Sequence, residues 1–148
     1  MGPKRLDDLL HELAELHRCL SERYSECSVA ATREDAKLFF AHLCRMEQYM
    51  EHCIHEYAHT APKSLRESWV KCAPDFDLSK LLHHVPTDNN VSRDEIMDAA
   101  ILIGEELEKS LKELVERTDH PELRSTLLCL VEMEQEEKGK ILRSGDFY

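Results

Sequence analysis

Apolar residues recur at steps of three and four along most of the chain, which is the period of an α-helix that buries one face. The chain contains four such apolar stripes, separated twice by a short polar segment and once by a long one. The stripes run from Leu6 to Ala31, from Ala36 to Tyr57, from Ile96 to Leu114, and from Leu123 to Leu142. Each stripe predicts one long helix.

Polar residues ahead of the stripes predict where the helices begin. Thr32 precedes the second stripe and is of a type favoured at a helix N-cap. Ser92 and Glu95 have the S-x-x-E spacing of a capping box ahead of the third stripe. Asp119 and Pro121 place a cap and an early-turn proline before the fourth. Because the turns between paired stripes are short, each pair of helices is predicted to form an antiparallel hairpin.

The segment between the two hairpins predicts how they are connected. It holds three of the five prolines, the only tryptophan, Trp69, and one short helical phrase, DLSKLLHH. A connection of this length lets the second hairpin lie beside the first. We therefore predict an all-α four-helix bundle as a single domain over residues 1–148. It consists of hairpin one (about 4–61), a crossover linker (62–91) and hairpin two (92–143).

The two hairpins also resemble each other in sequence. At an offset of 87 residues and without a gap, the triplet M-E-Q at 46–48 falls on the M-E-Q at 133–135. The predicted cap Thr32 falls on the predicted cap Asp119 at the same offset. These coincidences favour an internal duplication. The alternative, two similar amphipathic hairpins of separate origin, stays open.

The repeated triplet places a glutamate on each apolar stripe. Glu47 lies between Leu43 and Met50 on the second stripe, and Glu134 follows Leu130 on the fourth. Burying a lone carboxylate costs several kcal/mol, so such a group must be paired, protonated or bound to a metal. Two glutamates that face each other across a core would repel unless a cation lay between them.

The second hairpin, EELEKSLKELVERTDHPELRSTLLCLVEMEQEEKGKIL, resembles the ferritin-like superfamily and within it the rubrerythrin-type proteins. Those bundles build a di-iron site from one Glu on each of two helices and a Glu-x-x-His on each of the other two. The resemblance implies that Glu106 is the single-Glu ligand of the third helix. It also implies that Glu47 and Glu134 are the glutamates of the two Glu-x-x-His motifs.

Three positions of the implied site differ from the family's pattern. Glu137 and Met50 stand where the family has histidine, and Cys19 stands at the single-Glu position of the first helix. Iron in oxygen activation prefers oxygen and imidazole ligands, so these changes argue against a full ferroxidase or peroxidase centre. The two sulfur residues would suit a softer ion such as Cu(I). The carboxylates left for a single Fe, Mn or Mg ion are Glu47, Glu106, Glu134 and Glu137.

A second candidate site is the histidine group in HCIHEYAH on the second predicted helix. His52, His55 and His59 stand at three- and four-residue spacings, which can chelate zinc on a helix surface. Helical rotation separates them from the face of Glu47, so they are predicted to lie at an edge or on the surface. The simpler interpretation is a solvated or interface histidine cluster without a ligand.

Composition narrows the partners and the compartment. With 30 acidic against 19 basic residues the net charge is −11, which argues against nucleic acid and anionic membranes as partners. The N-terminal residues form no signal-like apolar run, and none of the six cysteines forms a C-x-x-C pair. We therefore predict a cytoplasmic protein with reduced thiols. Because rubrerythrin-type proteins carry a C-x-x-C electron-transfer module, a redox role here would need an external electron donor.

Three functional hypotheses follow from the sequence, of which one is a surface zinc site formed by His52, His55 and His59 on the second helix; the other two concern the whole bundle. In the first, the protein is a rubrerythrin-related metal-binding protein, or a metal-dependent oxidoreductase, with Fe or another divalent metal at an altered carboxylate site. In the second, it is a non-catalytic bundle that carries no metal and serves as a dimeric or partner-binding module. The resemblance implies a homodimer, and Trp69 is a candidate hydrophobic anchor for its interface.

Overall fold

A computed structural model describes residues 2–144 of the chain. Four long helices and four short elements occur in this part. In chain order they are β1 (Gly2–Arg5), α1 (Leu6–Ala30), α2 (Glu34–Thr60), α3 (Lys63–Arg66), β2 (Trp69–Ala73), α4 (Leu78–His83), α5 (Arg93–Glu116) and α6 (Pro121–Ser144). Among residues 2–144, no helix is both long enough and apolar enough to cross a membrane.

The long helices confirm the predicted all-α bundle of two hairpins. Helices α1 and α2 pack along each other, as do α5 and α6, and residues 61–92 cross from one pair to the other. The buried faces carry the residues of the four apolar stripes, because a helix with one apolar stripe can remove it from water only against another helix.

The apolar core consists of two separate groups of side chains. On α1, Leu13 belongs to one group and Leu16 to the other; on α6, Val131 belongs to the first and Ile141 to the second. Between Val131 and Ile141, α6 buries the two acidic residues Glu134 and Glu137. A polar layer therefore divides the core near the middle of the bundle.

The linker contains structure that the sequence patterns did not predict. Strand β2 pairs antiparallel with β1, with Arg5 opposite Trp69 and Gly2 opposite Ala73. The Leu6 amide donates to the Ser68 carbonyl at 2.9 Å, and this bond extends the backbone pairing of the two strands to the first residue of α1. The strand sequences, GPKR and WVKCA, are short and show no alternation of apolar and polar residues, and their pairing joins segments far apart in the sequence.

The helix starts agree with the predicted caps at one position of three. The Ser92 hydroxyl accepts from the Glu95 amide at 3.2 Å, which confirms the capping box of α5. The prediction for Thr32 is wrong: α2 begins one residue later, after Arg33, and the Thr32 hydroxyl donates instead to the Asn89 carbonyl. At the start of α6, the imidazole of His120, rather than Asp119, accepts from a helix amide.

Candidate metal centre

Four ionisable side chains make up the polar layer, which we call the His17 cluster: His17, Glu47, Glu134 and Glu137. His17 comes from α1, Glu47 from α2, and both Glu134 and Glu137 from α6. Their exposed fractions are 0%, 3%, 2% and 7%, in that order. Charged side chains are rarely buried so completely unless they are paired or bind a ligand.

His17 lies between two of the carboxylates. Its Nδ1 contacts Oε2 of Glu47 in a short hydrogen bond, and its Nε2 lies 2.7 Å from Oε1 of Glu134. Both ring nitrogens can donate only in the protonated imidazolium. Burial opposes that charge, but Glu134 and Glu47 outweigh it and hold the pKa of His17 well above its usual value. Without a metal, the imidazolium is therefore the cation between the two glutamates.

Glu137 completes the cluster from the next turn of α6. Ligand atoms of His17, Glu47 and Glu137 all lie within 4.8 Å of one another. Burial raises the pKa of the Glu137 carboxyl well above its usual value, and the nearby charge of Glu47 adds to this effect. The Oε2 atoms of Glu137 and of Glu134 are buried and have no hydrogen-bond partner. Buried acceptors without a partner cost free energy, and a bound cation would satisfy them.

The donor set of the cluster fits a divalent transition metal. One imidazole nitrogen and several carboxylate oxygens are ligands that Fe(II), Mn(II) and Zn(II) accept in proteins. The three closely spaced donors come from three different helices, so packing of the bundle fixes their separation. Within residues 2–144, this is the one group of three His, Cys, Asp or Glu side chains that meets this spacing.

Tyr24 follows His17 by seven residues, two helical turns along the same face of α1, and is almost fully buried. Burial, followed by the charges of Glu47 and Glu137, raises the pKa of its hydroxyl well above the usual value. The Tyr24 ring packs against Phe40 with 6.2 Å between ring centroids.

The structure brings three of the predicted carboxylates together and places the fourth elsewhere. Glu47, Glu134 and Glu137 belong to the His17 cluster, whereas Glu106 on α5 is partly exposed and lies 3.0 Å from His84 Nε2. Cys19 is half-buried beside Arg18, with 3.9 Å between its sulfur and Arg18 Nη2. Neither Cys19 nor Glu106 belongs to the three-donor group.

Met50 and the three histidines of α2 also lie outside the cluster. Met50 is buried and lines a groove on the outer side of the cluster. His52, His55 and His59 are exposed, and His55 lies 3.6 Å from Glu51. In the described part of the chain, these histidines are in no group of three closely spaced metal donors.

His17 is the site residue that the sequence patterns did not single out. It stands four residues after Leu13 and three before Leu20, which is the spacing of the buried stripe itself. A single histidine on an apolar face is usually a core residue with an ordinary partner, so this spacing alone carries little information. The informative combination is a histidine on one inner stripe together with glutamates on two others.

A groove between α2 and α6 connects the cluster with the surface. Its volume is about 320 Å³, and Glu137 is one of its lining residues. Met46, Met50 and Cys53 line it from α2, and Met133 lines it from α6. We call this feature the α2–α6 groove. Because Glu137 belongs to both the groove and the cluster, the groove is a route by which an ion or small molecule can reach the core.

No protein-family model matches the sequence, and no curated protein sequence matches it. Among solved structures, the chain is similar to a crystal structure of a Thermotoga maritima protein described as a ferritin-like diiron-carboxylate protein. The two share 17% sequence identity with a TM-score of 0.61, and the alignment covers 99% of this chain and 97% of that chain. The alignment thus spans both hairpins and the linker. This chain has the ferritin-like fold.

Proposed function

We propose that the protein binds one divalent transition-metal ion in the bundle core through His17, Glu47 and Glu137. The observation that supports this most directly is the buried Oε2 of Glu137, which has no hydrogen-bond partner inside a three-donor group. The ion would take the place of the proton between His17 Nδ1 and Glu47. Metal binding at such a site requires a neutral imidazole and ionised carboxylates.

Glu134 would orient His17 rather than bind the ion. Its Oε1 lies 2.7 Å from Nε2, the ring nitrogen that faces away from Glu47. Histidine ligands in metalloproteins usually donate their second N–H to a carboxylate, which fixes the tautomer and raises the basicity of the ligating nitrogen. The arrangement Glu134–His17–Glu47 already has this form. An orienting role explains why Glu134 is buried beside His17 although it does not belong to the three-donor group.

The proposal is for one ion rather than two. In the described residues, α5 contributes no side chain to the three-donor group, because Glu106 pairs with His84. When bound, Zn(II) would supply Lewis acidity, and Fe or Mn would supply one-electron redox chemistry. A rubrerythrin-like redox role would then need an external electron donor, since the sequence has no C-x-x-C pair.

Metal titration of chelator-treated protein tests the proposal. We expect uptake of one equivalent of Mn(II), Zn(II) or Co(II), the last giving visible absorption bands that report its ligands. Glu47→Gln and Glu137→Gln should abolish stoichiometric uptake, because each replaces a carboxylate donor. Glu106→Gln is the matched control and should bind like the unmodified chain. Uptake that is absent, or unchanged in Glu137→Gln, would refute the proposal.

One observation favours a second candidate function, a metal-free bundle that serves as a binding module. His17 already pairs with Glu47 and Glu134, so the centre of the bundle has a cation of its own. In this case the protein would act through its surface, for example as the homodimer inferred from sequence. Trp69 supports such a role because it lies on β2 with 57% of its surface exposed. Unchanged melting temperature after chelation of a metal-loaded sample would favour this candidate.

A further inference from the structure

The α2–α6 groove is rich in sulfur. Met46, Met50, Cys53 and Met133 all line it, and they include three of the five methionines in the chain. Elsewhere the buried core is built mainly of leucine, alanine, valine and isoleucine. Methionine commonly fills irregular gaps inside cores. Here Met46 and Met133 are half-buried: each packs against the apolar core and also lines the open groove, as does half-buried Cys53.

The register of the two helices places three of these sulfur residues opposite one another. The Tyr57 hydroxyl donates to Thr126 at 3.1 Å near one end, and His42 lies 2.8 Å from the Ser144 hydroxyl near the other, so the helices run antiparallel. Met133 stands two helical turns after Thr126 on α6, and Met50 stands two turns before Tyr57 on α2. Because Tyr57 contacts Thr126 and the helices are antiparallel, Met50 and Met133 lie opposite each other.

Cys53 lies on the same side of α2 as Met50. It follows Met50 by three residues, a spacing that puts neighbouring side chains on one helix face. Tyr49, one turn before Cys53 on α2, also lines the groove. One thiol and one thioether from α2 therefore face one thioether from α6 across a groove open to solvent.

We propose that Met50, Cys53 and Met133 form a binding site for Cu(I), with Met46 one turn further along the groove. Soft thiolate and thioether ligands select Cu(I) over the divalent ions that prefer oxygen and imidazole. On binding, the Cys53 thiol loses its proton to solvent, so the thiolate and the monovalent ion form a neutral pair. The oxidation state of copper does not change. This site shares no ligand with the His17 cluster and is independent of the function proposed above.

The charges around the groove are compatible with a neutral copper–thiolate pair. Arg45 and Lys140 line the groove together with the acidic residues Glu136 and Glu137. Lys140 lies over the Tyr49 ring, with 5.2 Å from its Nζ to the ring centroid. Besides His42, two basic and two acidic side chains thus line the groove. A monovalent cation that binds with loss of one proton leaves this balance unchanged.

Methionine methyl resonances test the site in the intact chain. Protein labelled with ¹³C at the methionine methyl groups is titrated, under reducing conditions, with Cu(I) held by the chelator bicinchoninate. We expect the Met50 and Met133 resonances to shift with the first equivalent and the Met97 resonance to stay in place. Met97 is the control because it packs against the core elsewhere. Copper uptake that leaves the Met50 and Met133 resonances unmoved would overturn the proposal, since the other cysteines alone would then be the ligands.

Affinity measurements on volume-conserving variants give a second test. Met50→Leu and Met133→Leu keep the apolar volume and remove one thioether each. Each should weaken Cu(I) binding by about tenfold or more, the scale on which supporting groups of metal sites act. Cys53→Ser should weaken it further, whereas Met97→Leu should have no effect. Circular dichroism checks that each variant is folded, and equal affinity of all variants would overturn the proposal.

The copper site and the core metal site can be separated by crossing the variants. Glu47→Gln should abolish uptake of Mn(II) or Zn(II) and leave Cu(I) affinity as it is. Met50→Leu should weaken Cu(I) binding and leave Mn(II) uptake as it is. Loss of Cu(I) binding in Glu47→Gln would contradict the proposed thiol–thioether ligands. Loss of Mn(II) uptake in Glu47→Gln alone bears only on the core site.

Discussion

The central residue of the molecule is His17, because its imidazole decides how three buried glutamates coexist. With both ring nitrogens on carboxylates, it offsets the repulsion between Glu47 and Glu134. With a metal at Nδ1, the same ring would hold the ion while Glu134 kept its orientation. One geometry thus serves a metal-free and a metal-bound state, and exchange between them requires loss of the His17 Nδ1 proton and an ionised Glu137 carboxylate.

Substitution of His17 tests its stabilising role in metal-free protein. We expect His17→Leu to lower the free energy of unfolding by about 3–5 kcal/mol, because it leaves buried carboxylates without their cation. Urea denaturation in the presence of EDTA measures the change. His84→Leu is the control: His84 and Glu106 are partly exposed, and such a pair contributes about 1 kcal/mol at most.

A further variant separates charge from packing at the same position. Replacing His17, Glu47 and Glu134 together by leucine removes the charges as well as the pairing. Apolar replacement of an entire buried ionic group is often neutral or stabilising. The triple variant should therefore unfold at a higher urea concentration than His17→Leu. A triple variant less stable than the single one would show that packing, not unpaired charge, explains the loss.

The acidic members of the cluster were predictable from sequence and the histidine was not. Glutamate on an apolar stripe conflicts with burial, so Glu47 and Glu134 attract attention from periodicity and the repeat alone. Glu137 was singled out only by the resemblance to the ferritin-like pattern. Histidine causes no such conflict, since it is often found in cores. The resemblance pointed on α1 to Cys19, two residues from His17. Two residues are about 200° of helical rotation, so the two side chains leave the helix on nearly opposite sides.

At the scale of elements, the sequence predicts the four long helices well and the residues at which they begin less well. Periodicity extends over many residues and tolerates single errors, whereas a cap depends on one hydrogen bond. Ser92 makes that bond, and Arg33, at the start of α2, makes no side-chain capping bond. The β1–β2 pair was unpredictable because tertiary pairing, rather than local preference, stabilises such short strands.

Removal of the cap on α5 gives a prediction at this scale. Ser92→Ala leaves the Glu95 amide without its acceptor at 3.2 Å, so we expect a loss of about 1 kcal/mol of stability. Arg33→Ala occupies the same N-cap position of α2 but breaks no capping bond, and its effect should be within about 0.5 kcal/mol. Thermal denaturation of both variants measures the difference. Equal losses would mean that the Ser92 hydroxyl does not stabilise the helix start.

At the scale of the whole molecule, exposed apolar side chains raise the question of self-association. Trp69 has 57% of its surface exposed, although Arg5 stacks on its ring at 5.5 Å from the centroid. Tryptophan and arginine are typical of the energetic centre of protein interfaces. If the protein is a homodimer through this face, Trp69→Ala should shift it toward monomer in sedimentation velocity. Exposed Leu128 on α6 provides the control, since Leu128→Ala should leave the dimer intact. A dimer unaffected by Trp69→Ala would place the interface elsewhere.

Metal binding in the core should also stabilise the whole bundle, because the ligands come from α1, α2 and α6 and meet only in the folded state. Free metal at 100 times its dissociation constant should add about 2.7 kcal/mol to the free energy of unfolding. A rise in melting temperature with Mn(II) or Zn(II), reversed by EDTA, measures this. Glu137→Gln should show no rise in melting temperature, and Glu106→Gln should show the full rise.

A rise that persists in Glu137→Gln but disappears in the double variant His55→Ala/His59→Ala would assign the metal to the exposed histidines of α2 instead. The two sites are distinguishable in this way because only the core ligands join three helices, whereas the histidines lie along one.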